Sequence, residues 1–455
     1  MNAHTITSDV SPLKVPRAVA ALIRALHLRE PDIASLAQLE DHEWGILLAF
    51  CDLGHLTLSL AQLPKDGFPS WVVERLKTNV ADNALRFERV KATYREAAEA
   101  LDRAGVNHVA IKGFTQAPDY VEDPRLRAQS DLDLYCPPEM IESARIALEA
   151  IGYTPNNNEQ SYAFADHDRT MIRMGDWQWR GNPFDPEMPL SIELHFCLWN
   201  ESVSYFHITG VDAFWGRRTM RAIEGFTFAS LSPIDHLGYL ALHILRNIFL
   251  RDTILHHVYE LAGFLHRHAE DDVFWKSWTE THDASLRTFE AIAFYYAQVW
   301  FGCDLNPRVK SSIESLSPLQ QQWLHRFVTF PVEGMAHMNK DFLWLQLSFL
   351  RSTRAKLRLL KRTLIPTHFA HIHAPLVGLT SERAMQSREL HPYLQYVVYL
   401  ASRFASHSRS SVGAVVGGLR WRLSEHQFVR QFWIFLAASF LTWACLSTSS
   451  SSIFF

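Results

Sequence analysis

The sequence predicts an α+β fold. A small core with a mixed sheet at residues 85–232 is flanked by a helical segment at 1–84 and a large α-helical region, which divides into 233–350 and a basic stretch at 351–455. Three observations carry this prediction. Period-two alternation of apolar and polar residues is confined to a few short runs between residues 107 and 196. Stretches with helical periodicity separate those runs, giving the order helix, strand, helix, strand, helix, strand. Beyond Ser232-Pro233 the strand signals stop, and long amphipathic runs rich in Leu, Phe, Trp and His follow.

Taken in order, residues 15–62 repeat apolar side chains at helical spacing, with Pro31 and Asp32 marking a turn; they carry no evident chemistry. From Leu85, the residues Val90, Tyr94, Ala97, Leu101 and Ala104 recur at three- to four-residue steps, and Gly105 stops the helix. Asn107–Phe114 follows as a short strand, in which Val109 and Ile111 alternate with His108, Ala110 and Lys112. At its end Gly113 permits a sharp turn and a close backbone approach to a ligand. Such a strand-to-helix corner leaves free N–H groups suited to phosphate. The run Ser130-Asp131-Leu132-Asp133-Leu134 reads as the next strand. Pro137-Pro138-Glu139 then opens a helix whose apolar side is Ile141, Ala144, Leu148 and Ile151 and which closes at Gly152. Residues 154–189, with Asn156-Asn157-Asn158 and Pro183, Pro186 and Pro189, read as loop and short strands at the rim of a cleft. Leu190–Phe196 alternates cleanly and places Ser191, Glu193 and His195 on one face.

The chemistry concentrates on Asp131 and Asp133. Two carboxylates at i and i+2 of a strand share a face, roughly 6–7 Å apart along the backbone. That face suits a hard divalent cation such as Mg2+. Glu193, on a second strand, supplies the third carboxylate that two-metal phosphoryl- or nucleotidyl-transfer sites use. Lys112 is placed to contact phosphate, and Arg127 to pair with Asp131 or Asp133 in the ligand-free protein. His195 lies on the Glu193 face and is expected to be packed and hydrogen-bonded, with an accessory role. The histidines His236, His243, His256, His257, His266 and His268 follow, with Asp235, His243, Arg246 and Asn247 on successive turns of what reads as one helix; buried, hydrogen-bonded histidines explain the series better than a metal site.

The succession Ile111-Lys112-Gly113, Arg127 four residues before Asp131-Leu132-Asp133, a helix ending in Ile151-Gly152-Tyr153, and Ile192-Glu193-Leu194-His195 resembles the uncharacterised bacterial nucleotidyltransferase family of the DNA polymerase β superfamily. The resemblance spans about residues 85–265. It implies a polymerase-β-like nucleotidyltransferase core that moves a nucleoside monophosphate from an NTP to a hydroxyl or phosphate acceptor and releases pyrophosphate, with Mg2+ or Mn2+ as cofactor. Asp131, Asp133 and Glu193 would be the metal-binding and catalytic residues, and Lys112, Gly113, Arg127 and Ser130 the nucleotide-binding ones. Two positions depart from the pattern: Lys112-Gly113 stands where Gly-Ser or Gly-Gly is usual, and Glu193 where Asp is common. The acceptor, whether small molecule, peptide, protein or RNA, has no signature.

A net charge of −4 excludes a wholly basic nucleic-acid-coating protein, and 48% hydrophobic against 20% charged residues is an ordinary globular balance. The five scattered cysteines (Cys51, Cys136, Cys197, Cys303, Cys445) form no metal or disulfide framework, and the N-terminus shows no signal-peptide pattern. Both point to the cytoplasm. Between Arg351 and Arg430, 13 Lys or Arg face three acidic residues, and Phe432–Phe455 carries no charge. Phe432–Leu446 is apolar but shorter than the ~20 residues that span a bilayer. A core or interfacial helix is expected there, leaving peripheral membrane contact through the basic stretch open. Two other functions are compatible with the sequence: a non-catalytic nucleotide-binding scaffold, and a membrane- or RNA-docking protein working through that stretch.

Overall fold

A computed structural model describes residues 15–156, 166–252, 254–336, 338–364 and 392–423. Four short helices come first: α1 (Arg17–Ala25), α2 (Ala34–Ala37), α3 (Asp41–Leu53) and α4 (Thr57–Gln62). The long helix α5 (Ser70–Arg103) leads into β1 (Val109–Ile111). The expected helix from Leu85 thus begins fifteen residues earlier. Its first half continues the buried stripe with polar residues, Asn79, Asn83 and Arg86, which apolar periodicity does not register.

β2 (Asp131–Tyr135), α6 (Ile141–Ala150), β3 (Thr154–Pro155), β4 (Met171–Ile172) and β5 (Ser191–His195) follow, and then the one-turn α7 (Glu201–Ser204). β6 (Thr219–Ile223) and β7 (Phe226–Ser230) form a hairpin that the sequence reading does not separate. Its two turn residues, Glu224 and Gly225, both have positive φ, the geometry that closes a tight hairpin. Helices α8 (Pro233–Leu250), α9 (Leu255–Arg267), α10 (Asp272–Thr281) and α11 (Ala284–Phe301) come next. They precede α12 (Pro307–Glu314), α13 (Pro318–Phe327), α14 (Phe330–Ala336), α15 (Phe342–Phe349), α16 (Thr353–Leu364) and α17 (Pro392–Leu423).

The described strands form one mixed sheet in the order β3-β4-β5-β2-β1-β7-β6. β2 runs parallel to β5, β1 parallel to β7, and β1 antiparallel to β2. The sheet has two differently covered faces. Ala110, Leu132, Leu134, Ile192, Leu194, Phe226 and Phe228 pack against Phe87, Val90, Tyr94, Ala97 and Leu101 of α5 and Ala144 and Leu148 of α6. Val109 and Ile111 face the other way and join the larger core, which unites α1–α5 with the helices from α8 to α15. By strand alternation Asp131, Asp133, Glu193 and His195 lie on this second face, between the sheet and the helices.

Within that helical layer a buried ion cluster ties three elements together. His282 donates toward Asp235 of α8 at 3.2 Å and pairs with Glu290 of α11 at 2.8 Å, while Trp278 donates to Glu290 at 3.0 Å. Arg217 and Ser232 complete the coordination of Asp235. Burial alone would lower the His282 pKa, but Glu290 and Asp235 outweigh it and raise it to about 9. A histidine whose folded pKa exceeds its unfolded value stabilises the fold fully below the unfolded pKa of ~6.5 and loses that contribution as pH rises through the folded value. The thermal midpoint is therefore expected to fall between pH 7 and pH 9.5, and His282→Gln should start lower and flatten that decline. Equal slopes in wild type and variant would refute the assignment.

Candidate functional site

The acidic residues of β2 and β5 meet through strand register. Asp133 sits directly opposite Glu193, and Asp131 opposite Ser191. Asp133 is 4% exposed and receives two charged partners on one oxygen: Lys112 Nζ at 2.5 Å and His195 Nε2 at 2.7 Å from Oδ1. Glu193 Oε2 stands 3.6 Å from His195 Nε2 and 3.6 Å from His167 Nε2, and Glu193 Oε1 accepts from Thr170 at 3.4 Å. Ligand atoms of Asp133, Glu193 and His195 all lie within 4.8 Å of one another, close enough to share one cation.

Lys112 reaches this site because of its backbone. Continuing the alternation of β1 would turn it away from Asp133, on the side of Ala110. Its φ of 54° instead places it in the left-handed region, followed by Gly113 at φ 50°, and the side chain returns to the acidic face. A non-glycine residue in that region is strained, and such strain persists where surrounding contacts over-determine it. Gln129 supplies them. Its Oε1 accepts from Phe114 N at 2.9 Å and its Nε2 donates to the Asp131 carbonyl at 2.6 Å, bridging the turn to the aspartate strand. Helix α5 fixes the segment from behind: Asn83 donates to the Arg125 and Arg127 carbonyls, and the buried Arg86 to those of Gln129, Asp185 and Met188.

The electrostatics follow from crowding. Burial first, then the Asp133 and Glu193 charges, push the Asp131 carboxyl up to about 7. Burial opposes ionisation of Asp133 too, but Lys112 and His195 dominate and hold it well below the carboxylate range. Burial and Lys112 work against His195 protonation, yet Asp166, Asp133 and Glu193 raise it to about 9. Lys112 and His195 thus contribute the positive charge that the carboxylates require. The donor atoms that converge, the Asp133 and Glu193 carboxylates and the His195 imidazole, fit a divalent cation.

One expectation changes and two gain detail. Arg127 pairs with neither aspartate; its Nε donates to Glu260 Oε1 of α9 at 2.7 Å. Lys112, expected at phosphate, is held by Asp133. His195 is packed and hydrogen-bonded as expected, 1% exposed, and its partner is Asp133 itself. Gly113 is where the turn was expected, and Ser130 is exposed at the start of β2, its carbonyl accepting from Ser191 N at 3.4 Å.

The structure adds residues the sequence reading leaves out. Asp166, from the irregular segment before β4, lies 3.7 Å from His195 Nδ1 and accepts from Arg246 Nη2 of α8 at 2.8 Å. Charges of alternating sign therefore run from Lys112 through Asp133, His195 and Asp166 to Arg246, with the His195–Asp166 step an ion pair longer than a hydrogen bond. Irregular composition gives Asp166 no signal; Arg246 is foreshadowed by its place three residues after His243.

The expected histidine-bearing helix is α8, and its neighbours behave as buried, stacked imidazoles. His243 lies edge-on to His257 at 4.7 Å between ring centroids, and His257 lies 3.8 Å from His256. Among the described residues they join no metal-binding group.

A sheet that presents a carboxylate triad beside a strained Lys-Gly turn is the arrangement expected of a nucleotidyl-transfer enzyme. The family model of an uncharacterised nucleotidyltransferase matches residues 50–302, which contain every residue of this site, and the chain belongs to that family. Among curated proteins and solved structures, none matches the chain.

Proposed function

We propose that this protein is a divalent-metal-dependent nucleotidyltransferase with a polymerase-β-like core. It would transfer a nucleoside monophosphate from an NTP to a hydroxyl or phosphate acceptor and release pyrophosphate. The observation that carries the reading is the register of parallel β2 and β5, which sets Asp133 against Glu193 with Asp131 two residues away and the Lys112-Gly113 turn across the antiparallel β1. Asp131, Asp133 and Glu193 would hold Mg2+ or Mn2+, with His195 at the edge of the set. Bound there, the cation would neutralise triphosphate charge and acidify the acceptor oxygen. Lys112, released from Asp133 when a cation takes that carboxylate, turns to phosphate oxygens. The Gly113 corner presents backbone N–H groups to the same phosphates. Glu193 accepts the acceptor's proton, and His195, held by Asp133 and Asp166, keeps the carboxylate oriented. Arg127 reaches the nucleotide only by leaving Glu260, so its contribution is to binding and comes late. Ser130, at the mouth of the site, contacts the nucleotide's outer part.

Release of pyrophosphate from each NTP, followed with Mg2+ or Mn2+ and with water or added hydroxyl compounds as acceptor, tests the reaction. Release that depends on metal and disappears in Asp131→Asn supports the proposal. Release unchanged by that substitution would remove it, and nucleotide binding without turnover under every acceptor would favour a scaffold.

A second reading concerns α16 and α17. Residues 342–364 and 392–423 carry ten Lys or Arg and no acidic residue. Arg351, Arg354, Arg358 and Lys361 are exposed around an exposed Leu357, and α17 exposes Phe404, Arg409, Val412 and Arg420. The opposite side of α17 is anchored, since Trp344 Nε1 donates to the Ala414 carbonyl at 2.8 Å and Lys340 Nζ to Ser411 Oγ at 2.8 Å. No described helix is long and apolar enough to cross a membrane. A basic face with isolated apolar side chains suits an anionic lipid surface. The chain is expected to float with phosphatidylglycerol vesicles at low salt and to lose most binding in the Arg354→Glu/Arg358→Glu/Lys361→Glu variant. Equal binding to neutral vesicles, or binding to RNA alone, would contradict this reading. The apolar run Phe432–Leu446 lies outside the described residues.

A further inference from the structure

The helix that roofs the acidic site carries buried polar atoms without a hydrogen-bond partner among the described residues. Tyr239, His243 and Arg246 fall on successive turns of α8, at i, i+4 and i+7, and so share one face. Tyr239 is 2% and His243 7% exposed. The Tyr239 hydroxyl, His243 Nδ1 and Arg246 Nε each have no hydrogen-bond partner among the described residues. Buried polar atoms are almost always paired, so three orphans on one helix face call for an explanation. The face lies beside the acidic site: Arg246 Nη2 pairs with Asp166 at 2.8 Å, Asp166 stands 3.7 Å from His195, and Tyr239 and His243 are both within electrostatic range of Lys112.

The hydrogen-bond network decides which chemistry these groups want. Arg246 Nη1 donates to Asn247 Oδ1 at 3.3 Å, which fixes the amide so that Asn247 Nδ2 faces His243 Nε2 at 3.2 Å. His243 Nε2 is then an acceptor, and the proton of the neutral ring sits on Nδ1. Arg246 Nε–H has no acceptor role at all, and the Tyr239 hydroxyl is free to donate. With the Lys112 ammonium the face is rich in donors, the Tyr239 hydroxyl being the one group that can also accept. A ligand that satisfies donors alone is an oxyanion, and beside a carboxylate site that takes a divalent cation the fitting one is a polyphosphate.

We propose that Tyr239, His243 and Arg246 of α8 form, with Lys112, a cradle for the β- and γ-phosphate oxygens of the nucleotide, holding the pyrophosphate that leaves. This deepens the proposed function and rests on it for the identity of the nucleotide, but the cradle has its own test. Lys112 pairs with Asp133 and Arg246 with Asp166. A cation on Asp133 would compete with Lys112 for that carboxylate and leave the ammonium available to the cradle. Polyphosphate binding is therefore coupled to metal.

The probe is inorganic tripolyphosphate, titrated calorimetrically into the full chain with and without Mg2+, alongside Mn2+ binding followed by electron paramagnetic resonance. Wild type should bind tripolyphosphate with Mg2+ and weakly without it. Tyr239→Phe deletes only an unsatisfied hydroxyl, so its thermal midpoint should be unchanged or higher while tripolyphosphate affinity falls about tenfold. His243→Phe should lose a similar factor, and both variants should bind Mn2+ like wild type. Unaltered tripolyphosphate affinity in Tyr239→Phe, or no binding by a wild-type chain that does bind Mn2+, would overturn the cradle and leave the metal site standing. Loss of Mn2+ binding by wild type itself would instead defeat the proposed function. Variant-sensitive tripolyphosphate binding without any nucleotidyl transfer would support the cradle alone.

Discussion

Asparagine at position 131 is expected to abolish nucleotidyl transfer while making the metal-free protein more stable. The Asp131 carboxyl is pushed up to about 7 by burial and by the Asp133 and Glu193 charges, so its ionisation costs folding free energy as pH rises from about 4 through 7. An amide of the same shape removes that cost. The thermal midpoint of Asp131→Asn, measured at pH 7.5 in chelator, should exceed that of wild type, and its Mn2+ affinity should fall at least a hundredfold. Asp133→Asn is the counterpart with the opposite sign on stability. Asp133 bonds both Lys112 and His195 in a site 4% exposed, and its loss leaves two buried cations facing an amide. Breaking a buried pair in this way costs about 3–5 kcal/mol. Both variants should be inactive, one more stable and one less. A destabilised Asp131→Asn would mean that the acidic strand is a structural network and not a cation site.

Gly113→Ala carries the second large effect. A Cβ there would lie 2.2 Å from Gln129 Nε2, on a backbone with φ of 50°. The glutamine cannot simply swing aside, because it holds Phe114 N and the Asp131 carbonyl at once. Losing these two hydrogen bonds costs on the order of 1–3 kcal/mol, and the left-handed alanine adds ~1 kcal/mol. Function should suffer more than stability, since Gln129 is what keeps the Lys112 turn against β2. The variant is expected to remain folded by circular dichroism and to lose Mg2+-dependent nucleotide binding by tenfold or more. Wild-type affinity in Gly113→Ala would show that the turn does not touch the nucleotide.

The acidic centre was legible because strand alternation is strict: once Leu132, Leu134, Ile192 and Leu194 are buried on one face, Asp131, Asp133, Glu193 and His195 must share the other. Alternation alone points Lys112 away from Asp133, and only its backbone of positive φ, which no sequence pattern announces, brings it back. The partner of Arg127 could not be read, because Glu260 sits 133 residues away on α9 and nothing local encodes that contact. Asp166 was hidden in a segment without period. The early start of α5 was hidden for a different reason: Asn79, Asn83 and Arg86 occupy its buried stripe because they hold the loop that carries Arg127 and Gln129, so the residues that position the site are those that obscure the helix. Tyr239 looked like one aromatic among many on an apolar helix. Only the fold shows that its hydroxyl is buried within electrostatic range of Lys112 and without a partner among the described residues.

The central claim is that the carboxylates of β2 and β5 and the Lys112-Gly113 turn form one metal-dependent nucleotide site. Calorimetric titration with non-hydrolysable ATP, CTP, GTP and UTP analogues, with and without Mg2+, tests it most directly, with the Asp131→Asn/Asp133→Asn double variant as control. Binding of at least one analogue that requires Mg2+ and vanishes in the double variant is the predicted result. Binding that survives without Mg2+ or in the double variant, or no binding of any analogue, would contradict it.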